Sequence, residues 1–109
     1  MGALTASEQS IVERARGEPM LDQVLEWSAV NSGSRNLSGL TRIAGLLADA
    51  FAALPGEPRL GDPAPVEAVD ANGKPVAVEN GKNLQLVVRP GTPVQLLFTS
   101  HMGTVFGQT

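Results

Sequence analysis

The sequence predicts an α/β fold in which helices come first and strands follow. Apolar residues recur at three- and four-residue spacing through the first half of the chain, which is typical of amphipathic helices. Four prolines between residues 55 and 65 end that pattern, and short apolar or alternating runs follow, as in strands. With 109 residues and 42% hydrophobic content, we expect one domain over residues 1–109 and no second domain.

The first two helices have clear start signals. Thr5 and Glu8 have the spacing of a capping box, which predicts a helix over residues 6–16 that ends at Gly17. Pro19 suits the first turn of a second helix, which we expect to close near residues 31–33. The narrow face of that helix comprises Leu21, Val24, Leu25 and Ser28, with Met20 and Trp27 beside it.

The third helix has the strongest local pattern. Asn36 or Ser38 can cap its start, and Pro55 with Gly56 stops it. Its apolar positions are Leu40, Ile43, Leu47, Ala50, Phe51 and Leu54.

The second half reads as an extended connector over residues 55–65 followed by a β-meander. Its expected strands are residues 66–69, 76–78 and 84–88, with turns at residues 70–73 and 80–81. Residues 94–98 (Val-Gln-Leu-Leu-Phe) follow Pro93, and such an apolar run predicts a strand buried on both faces. This order corresponds to half of a layered α/β sheet.

Composition excludes several classes of function. The net charge is −3 and the eight Lys and Arg residues are scattered, which argues against nucleic-acid binding. The absence of cysteine excludes disulfides and thiolate metal sites. The first 17 residues have no apolar core of a signal peptide or membrane span, so we expect a cytoplasmic protein without membrane contact.

His101 is the chain's single histidine and would lie just past the carboxyl end of the expected strand 94–98. Ligands and metals collect at that edge of open α/β sheets. A lone histidine after an apolar strand is more often a structural or surface residue. Local chemistry therefore leaves both interpretations open.

Residues 97–106, with the core His101-Met102-Gly103-Thr104-Val105, resemble the strand-end signature of a zinc metallopeptidase family. That family includes acetylornithine deacetylase, succinyl-diaminopimelate desuccinylase, aminoacylase and bacterial glutamate carboxypeptidase, and its signature is His-Met-Asp-Thr-Val. Residues 31–40 (Asn-Ser-Gly-Ser-Arg-Asn-Leu-Ser-Gly-Leu) resemble the family's Ser-Gly-Ser loop and helix start, and residues 81–84 resemble its glutamate carboxypeptidase branch. The resemblance spans roughly residues 20 to 106.

The resemblance implies the amino-terminal portion of an α/β/α layered metallopeptidase catalytic domain. Such a domain holds two zinc ions and hydrolyses an amide or peptide bond in a small peptide or N-acyl amino acid. His101 would be one zinc ligand. The family's other ligands and its glutamate base are not assigned to any residue of this chain, so we expect the chain alone to be inactive.

Gly103 departs from the family signature, which has an aspartate there. That carboxylate orients the histidine ligand, and loss of such a group commonly costs about 10- to 100-fold in metal affinity or activity. Without the family, Gly103 is a flexible residue in a turn.

No residue is assigned a catalytic or cofactor-binding role. Ser32, Ser34, Thr99 and Ser100 lack an argued aspartate–histidine partner, and the carboxylates are spread singly. The alternative function is a noncatalytic structural or self-association domain derived from the same fold. Under both hypotheses an exposed strand 94–98 would favour self-association.

Overall fold

Three helices precede four short strands, as the sequence predicts. The computed structural model describes residues 2–103. Within them the helices are α1 (Ala6–Arg16), α2 (Met20–Ser28) and α3 (Leu37–Phe51). The strands are β1 (Arg59–Gly61), β2 (Val66–Val69), β3 (Pro75–Val78) and β4 (Asn83–Gln85), which form two antiparallel sheets of two strands each.

The capping box of α1 forms as predicted. The Thr5 hydroxyl accepts from the Glu8 backbone N–H at 3.2 Å, and the Glu8 carboxylate accepts from the Thr5 backbone N–H at 2.7 Å. The Gly17 N–H closes the helix on the carbonyls of Glu13 and Arg14. No residue of α1 is buried, so these end contacts are the main local support for the helix.

Helices α2 and α3 both end earlier than their apolar patterns suggest. α2 stops at Ser28, where the Val30 N–H donates to the Trp27 carbonyl and Val30 is buried. α3 stops at Phe51, and i to i+3 bonds at Ala52 and Leu54 tighten the chain before the proline. The apolar period therefore runs past the point at which tight turns replace α-helical bonds.

Strands β2 and β3 form the predicted hairpin. Val66 pairs with Val78 and Val69 pairs with Pro75. The Asp70 carboxylate holds the turn by accepting from the backbone N–H groups of Asn72 at 2.8 Å and Lys74 at 3.0 Å. Gly73 has a φ of 78°, a left-handed conformation that suits glycine.

The predicted meander is wrong at its third strand. β4 covers Asn83–Gln85 rather than residues 84–88, and it pairs with β1 rather than with β3. β1 lies inside the proline-rich connector, between Pro58 and Pro63, and Leu60 is opposite Leu84. Prolines exclude a central strand but tolerate a three-residue edge strand between them, so the β2–β3 hairpin is nested inside the β1–β4 pair.

The prediction of a buried strand over residues 94–98 is also wrong. These residues form no strand and are exposed, with Val94 at 76% and Phe98 at 87% of full exposure. A strand needs a neighbour to satisfy its backbone N–H and C=O groups, and no strand lies beside this run within residues 2–103. Apolar composition without a pairing partner does not produce a strand.

The core is small and lies at the start of α3. Its buried apolar residues, among those the structure describes, are Val30, Ile43 and Ala44. Ser32 is the buried polar residue beside them. Sheet β1–β4 packs on α3 through β4. No helix within the described range is long and apolar enough to span a membrane.

Candidate metal-ligand segment

Two distant pieces of sequence meet beside the start of α3. We call residues 29–36 the serine loop and residues 99–103 the histidine segment. The Ser32 hydroxyl donates to the Met102 carbonyl at 3.1 Å. Ser32 is only 3% exposed, so this bond lies at the edge of the core and fixes the backbone next to His101.

The serine loop is held by two asparagines. The Asn36 side chain donates to the Asn31 carbonyl at 2.8 Å, while its oxygen accepts from the Gly39 N–H at 3.1 Å and so caps α3. The Asn31 side chain accepts from the Gly33 N–H at 3.4 Å. Of the two expected caps, Asn36 fills the role, and Ser38 donates its hydroxyl to the Asn36 side chain at 3.0 Å.

Gly39 lets α3 approach the serine loop. A Cβ at Gly39 would overlap the Asn31 carbonyl oxygen and would lie 2.8 Å from the Asn31 carbonyl carbon. Real Cβ atoms essentially never come so near backbone atoms, so a side chain here would push the loop away. The glycine therefore serves the position of the loop that carries Ser32.

Gly103 lies against the same loop. A Cβ at this position would lie 3.3 Å from the Ser32 carbonyl oxygen and 3.8 Å from the Leu40 Cδ2 atom. The first contact is tight and the second is ordinary. An aspartate, which is the residue of the family signature, fits here only if the Ser32 backbone yields by a few tenths of an ångström.

His101 itself is exposed, between two residues that touch the protein less loosely. Its neighbour Met102 is half-buried and is tied to Ser32. Exposure leaves both ring nitrogens of His101 open to solvent and to a metal ion. The remaining residues of the signature, Thr104 and Val105, lie outside the described residues.

The described residues do not make a zinc site by themselves. No group of three or more His, Cys, Asp or Glu side chains within residues 2–103 is arranged to hold a metal ion. Zinc sites in proteins use three or four protein ligands, and His101 supplies one. The carboxylates that were assigned to no site in the sequence gather at none in the described part of the chain.

The candidate nucleophile Ser32 has a structural position. Its hydroxyl is buried and donates to a backbone carbonyl, rather than to a base. Ser34, in the same loop, is exposed, and the neighbouring Arg35 donates to the Glu79 carbonyl at 3.4 Å. The serine loop therefore serves to join α2, α3 and the histidine segment.

Sequence reasoning missed the clamp that precedes the apolar run. The Gln95 side-chain amide donates toward the carbonyls of Arg89 at 3.2 Å and Thr92 at 2.9 Å and toward the Thr92 hydroxyl at 2.7 Å. Arg89 has a φ of 48°, which is uncommon outside glycine. The signal in the sequence was a polar residue, Gln95, within an otherwise apolar run.

Comparison of the chain with protein-family models gives no match, and comparisons with curated proteins and with solved structures give none either. The interpretation of this segment therefore depends on its residues and their geometry.

Proposed function

We propose that this chain provides the histidine-bearing part of a co-catalytic zinc amidohydrolase domain, with His101 as one metal ligand. The reaction class is hydrolysis of an amide or peptide bond next to a carboxylate-bearing group, as in glutamate carboxypeptidases and deacetylases. The layered α/β/α architecture and the cytoplasmic location belong to this proposal. Alone, the chain would be inactive.

The observation that carries the proposal is the hydrogen bond from Ser32 to the Met102 carbonyl. The two motifs on which the resemblance rests, the Ser-Gly-Ser loop and the His-Met pair, are separate in sequence and adjacent in space. A bond that fixes the backbone of Met102 restrains the preceding residue, and a metal ligand needs such restraint. His101 then extends from a fixed backbone into solvent.

The other ligands would come from outside the described residues, because the described carboxylates form no cluster with His101. A bound zinc pair would supply a polarised carbonyl and an activated water. What this chain supplies is one imidazole nitrogen and the packing that positions it. A catalytic base has no candidate here.

A second candidate function is favoured by a different observation. Residues 94–98 expose Leu96, Leu97 and Phe98 at 78%, 88% and 87%. An apolar surface of this kind on a soluble protein usually marks an interaction site. A noncatalytic domain that acts through self-association would use this surface and would not need His101.

The experiment that separates the two candidates is a zinc titration followed by NMR of the imidazole. The chain has one histidine, so its ring signals belong to His101 without further assignment. If His101 is a ligand, Zn²⁺ shifts these signals at concentrations that leave a free imidazole unaffected, and calorimetry of His101→Ala loses the binding heat. Signals that move only at the concentrations needed for free imidazole would favour the noncatalytic domain.

A further inference from the structure

Two exposed apolar surfaces remain on the chain. The α2 face consists of Met20, Leu21, Val24 and Leu25, which are 55 to 70% exposed, and no residue of α2 is buried. The apolar segment, residues 94–98, is the second surface. The α2 residues have the i, i+3, i+4 spacing of a helix that packs against a partner, and such a stripe is normally buried.

The area of the chain indicates that a large partner surface is missing. The chain exposes 9317 Å². A folded monomer of 11.3 kDa exposes about 5,700 Å² on the usual scaling of area with mass. The excess of about 3,600 Å² is larger than the roughly 800 Å² per partner that a standard interface buries. The radius of gyration of 18.3 Å is likewise above the value of about 13 Å for a compact chain of this length.

Charge distinguishes between the possible pairings of these surfaces. Residues 1–28 hold five acidic and two basic side chains, and Asp22 and Glu26 lie on α2 itself. Residues 80–103 hold Lys82 and Arg89 and no acidic side chain. Pairing of like surfaces would bring like charges together, whereas the α2 face and the apolar segment carry opposite charge.

We propose that two copies of this chain form a reciprocal dimer in which the α2 face of each packs on the apolar segment of the other. The two contacts are related by a twofold axis, so both surfaces of both copies are covered at once. This inference goes beyond the zinc hypothesis and does not depend on it, because neither surface includes His101.

Disulfide cross-linking between different variants tests this pairing directly. The chain has no cysteine, so each introduced thiol is the only one present. We expect Leu25→Cys mixed with a mass-tagged Leu97→Cys to give a mixed disulfide dimer under mild oxidation. Val69→Cys, which is 72% exposed on the β2–β3 hairpin, is the matched control for Leu25→Cys and should give little mixed product.

Sedimentation equilibrium gives an independent test. We expect Leu25→Asp and Leu97→Asp each to raise the dimer dissociation constant about tenfold or more, since each removes a buried leucine contact. Both leucines are exposed in the single chain, so helical content by circular dichroism should not change. Val69→Asp should leave the dissociation constant unchanged.

Three results would overturn the proposal. One is a monomer at all concentrations. Another is a dimer that neither aspartate variant weakens. The third is a double variant, Leu25→Cys with Leu97→Cys, that forms only an intrachain disulfide at low concentration. None of these depends on zinc, so failure here is distinct from failure of the metal-ligand proposal.

Discussion

The Ser32 hydroxyl and the Met102 carbonyl, 70 positions apart in the sequence, are joined by a hydrogen bond of 3.1 Å. This bond connects the loop between α2 and α3 to the segment that carries the chain's single histidine. Because Ser32 is buried, the contact is shielded from competing water. It is therefore the contact through which the core can control the position of His101.

Replacing Ser32 by alanine should remove this control. We expect Ser32→Ala to lower the free energy of unfolding by about 1 kcal/mol, because the Met102 carbonyl loses its donor at a part-buried position. Urea unfolding measures the change. Ser34→Ala, at an exposed position of the same loop, is the control and should stay within about 0.5 kcal/mol of the parent. Equal losses in the two variants would contradict a special role for Ser32.

Sequence reasoning succeeded where the information is local. The Thr5–Glu8 capping box, the Asn36 cap and the Asp70 turn each involve residues within four positions of one another, and each forms as the residue types suggest. The order of helices before strands follows from these local signals. They need no knowledge of what lies elsewhere in the chain.

The failures concern contacts between distant segments. Residues 94–98 have the composition of a buried strand, yet burial requires a neighbouring strand that the described chain does not provide. β4 pairs with β1 because both are extended and their leucines meet, a choice between partners that composition cannot make. The Ser32 to Met102 bond could not be predicted for the same reason, although both motifs were recognised.

Gly39 and Gly45 are two glycines of α3 with opposite surroundings. A Cβ at Gly39 would overlap the Asn31 carbonyl oxygen, whereas a Cβ at Gly45 meets nothing within 4 Å. We expect Gly39→Ala to destabilise by roughly 1 to 3 kcal/mol through overpacking. Gly45→Ala should stabilise the helix by up to about 1 kcal/mol. Thermal unfolding measures both, and a stabilising Gly39→Ala would contradict the close approach of α3 to the serine loop.

Asn36 has two roles that substitution can separate. Its oxygen caps α3 and its amide nitrogen donates to the Asn31 carbonyl. Asn36→Asp keeps the cap acceptor and loses the donor, while Asn36→Ala loses both. We expect alanine to cost about 1 to 2 kcal/mol and aspartate to cost less, since an anion also favours a helix start. Circular dichroism and urea unfolding compare them. An aspartate variant as unstable as the alanine variant would mean that the loop contact, and not the cap, dominates.

Gln95 should stabilise the turn before the apolar segment. Its amide donates toward oxygens of Arg89 and Thr92, and Arg89 is held at a positive φ. We expect faster amide hydrogen exchange over residues 89–95 in Gln95→Ala. Gln95→Glu should exchange faster still, because a carboxylate would face carbonyl oxygens. Arg89→Gly should slow the exchange by removing the cost of the left-handed backbone. Unchanged exchange in Gln95→Ala would show that the turn does not depend on this clamp.

Zinc affinity of a Gly103→Asp variant tests most directly the claim that His101 is a metal ligand. An aspartate at this position can orient the imidazole, and we expect the zinc dissociation constant from the imidazole NMR titration to fall about 10- to 100-fold. Gly103→Ala controls for the tight contact with the Ser32 carbonyl, and Ser100→Asp controls for a nearby negative charge. The prediction is that only Gly103→Asp gains this affinity. If Gly103→Asp binds zinc no better than Gly103→Ala and Ser100→Asp, His101 is not the ligand of such a site.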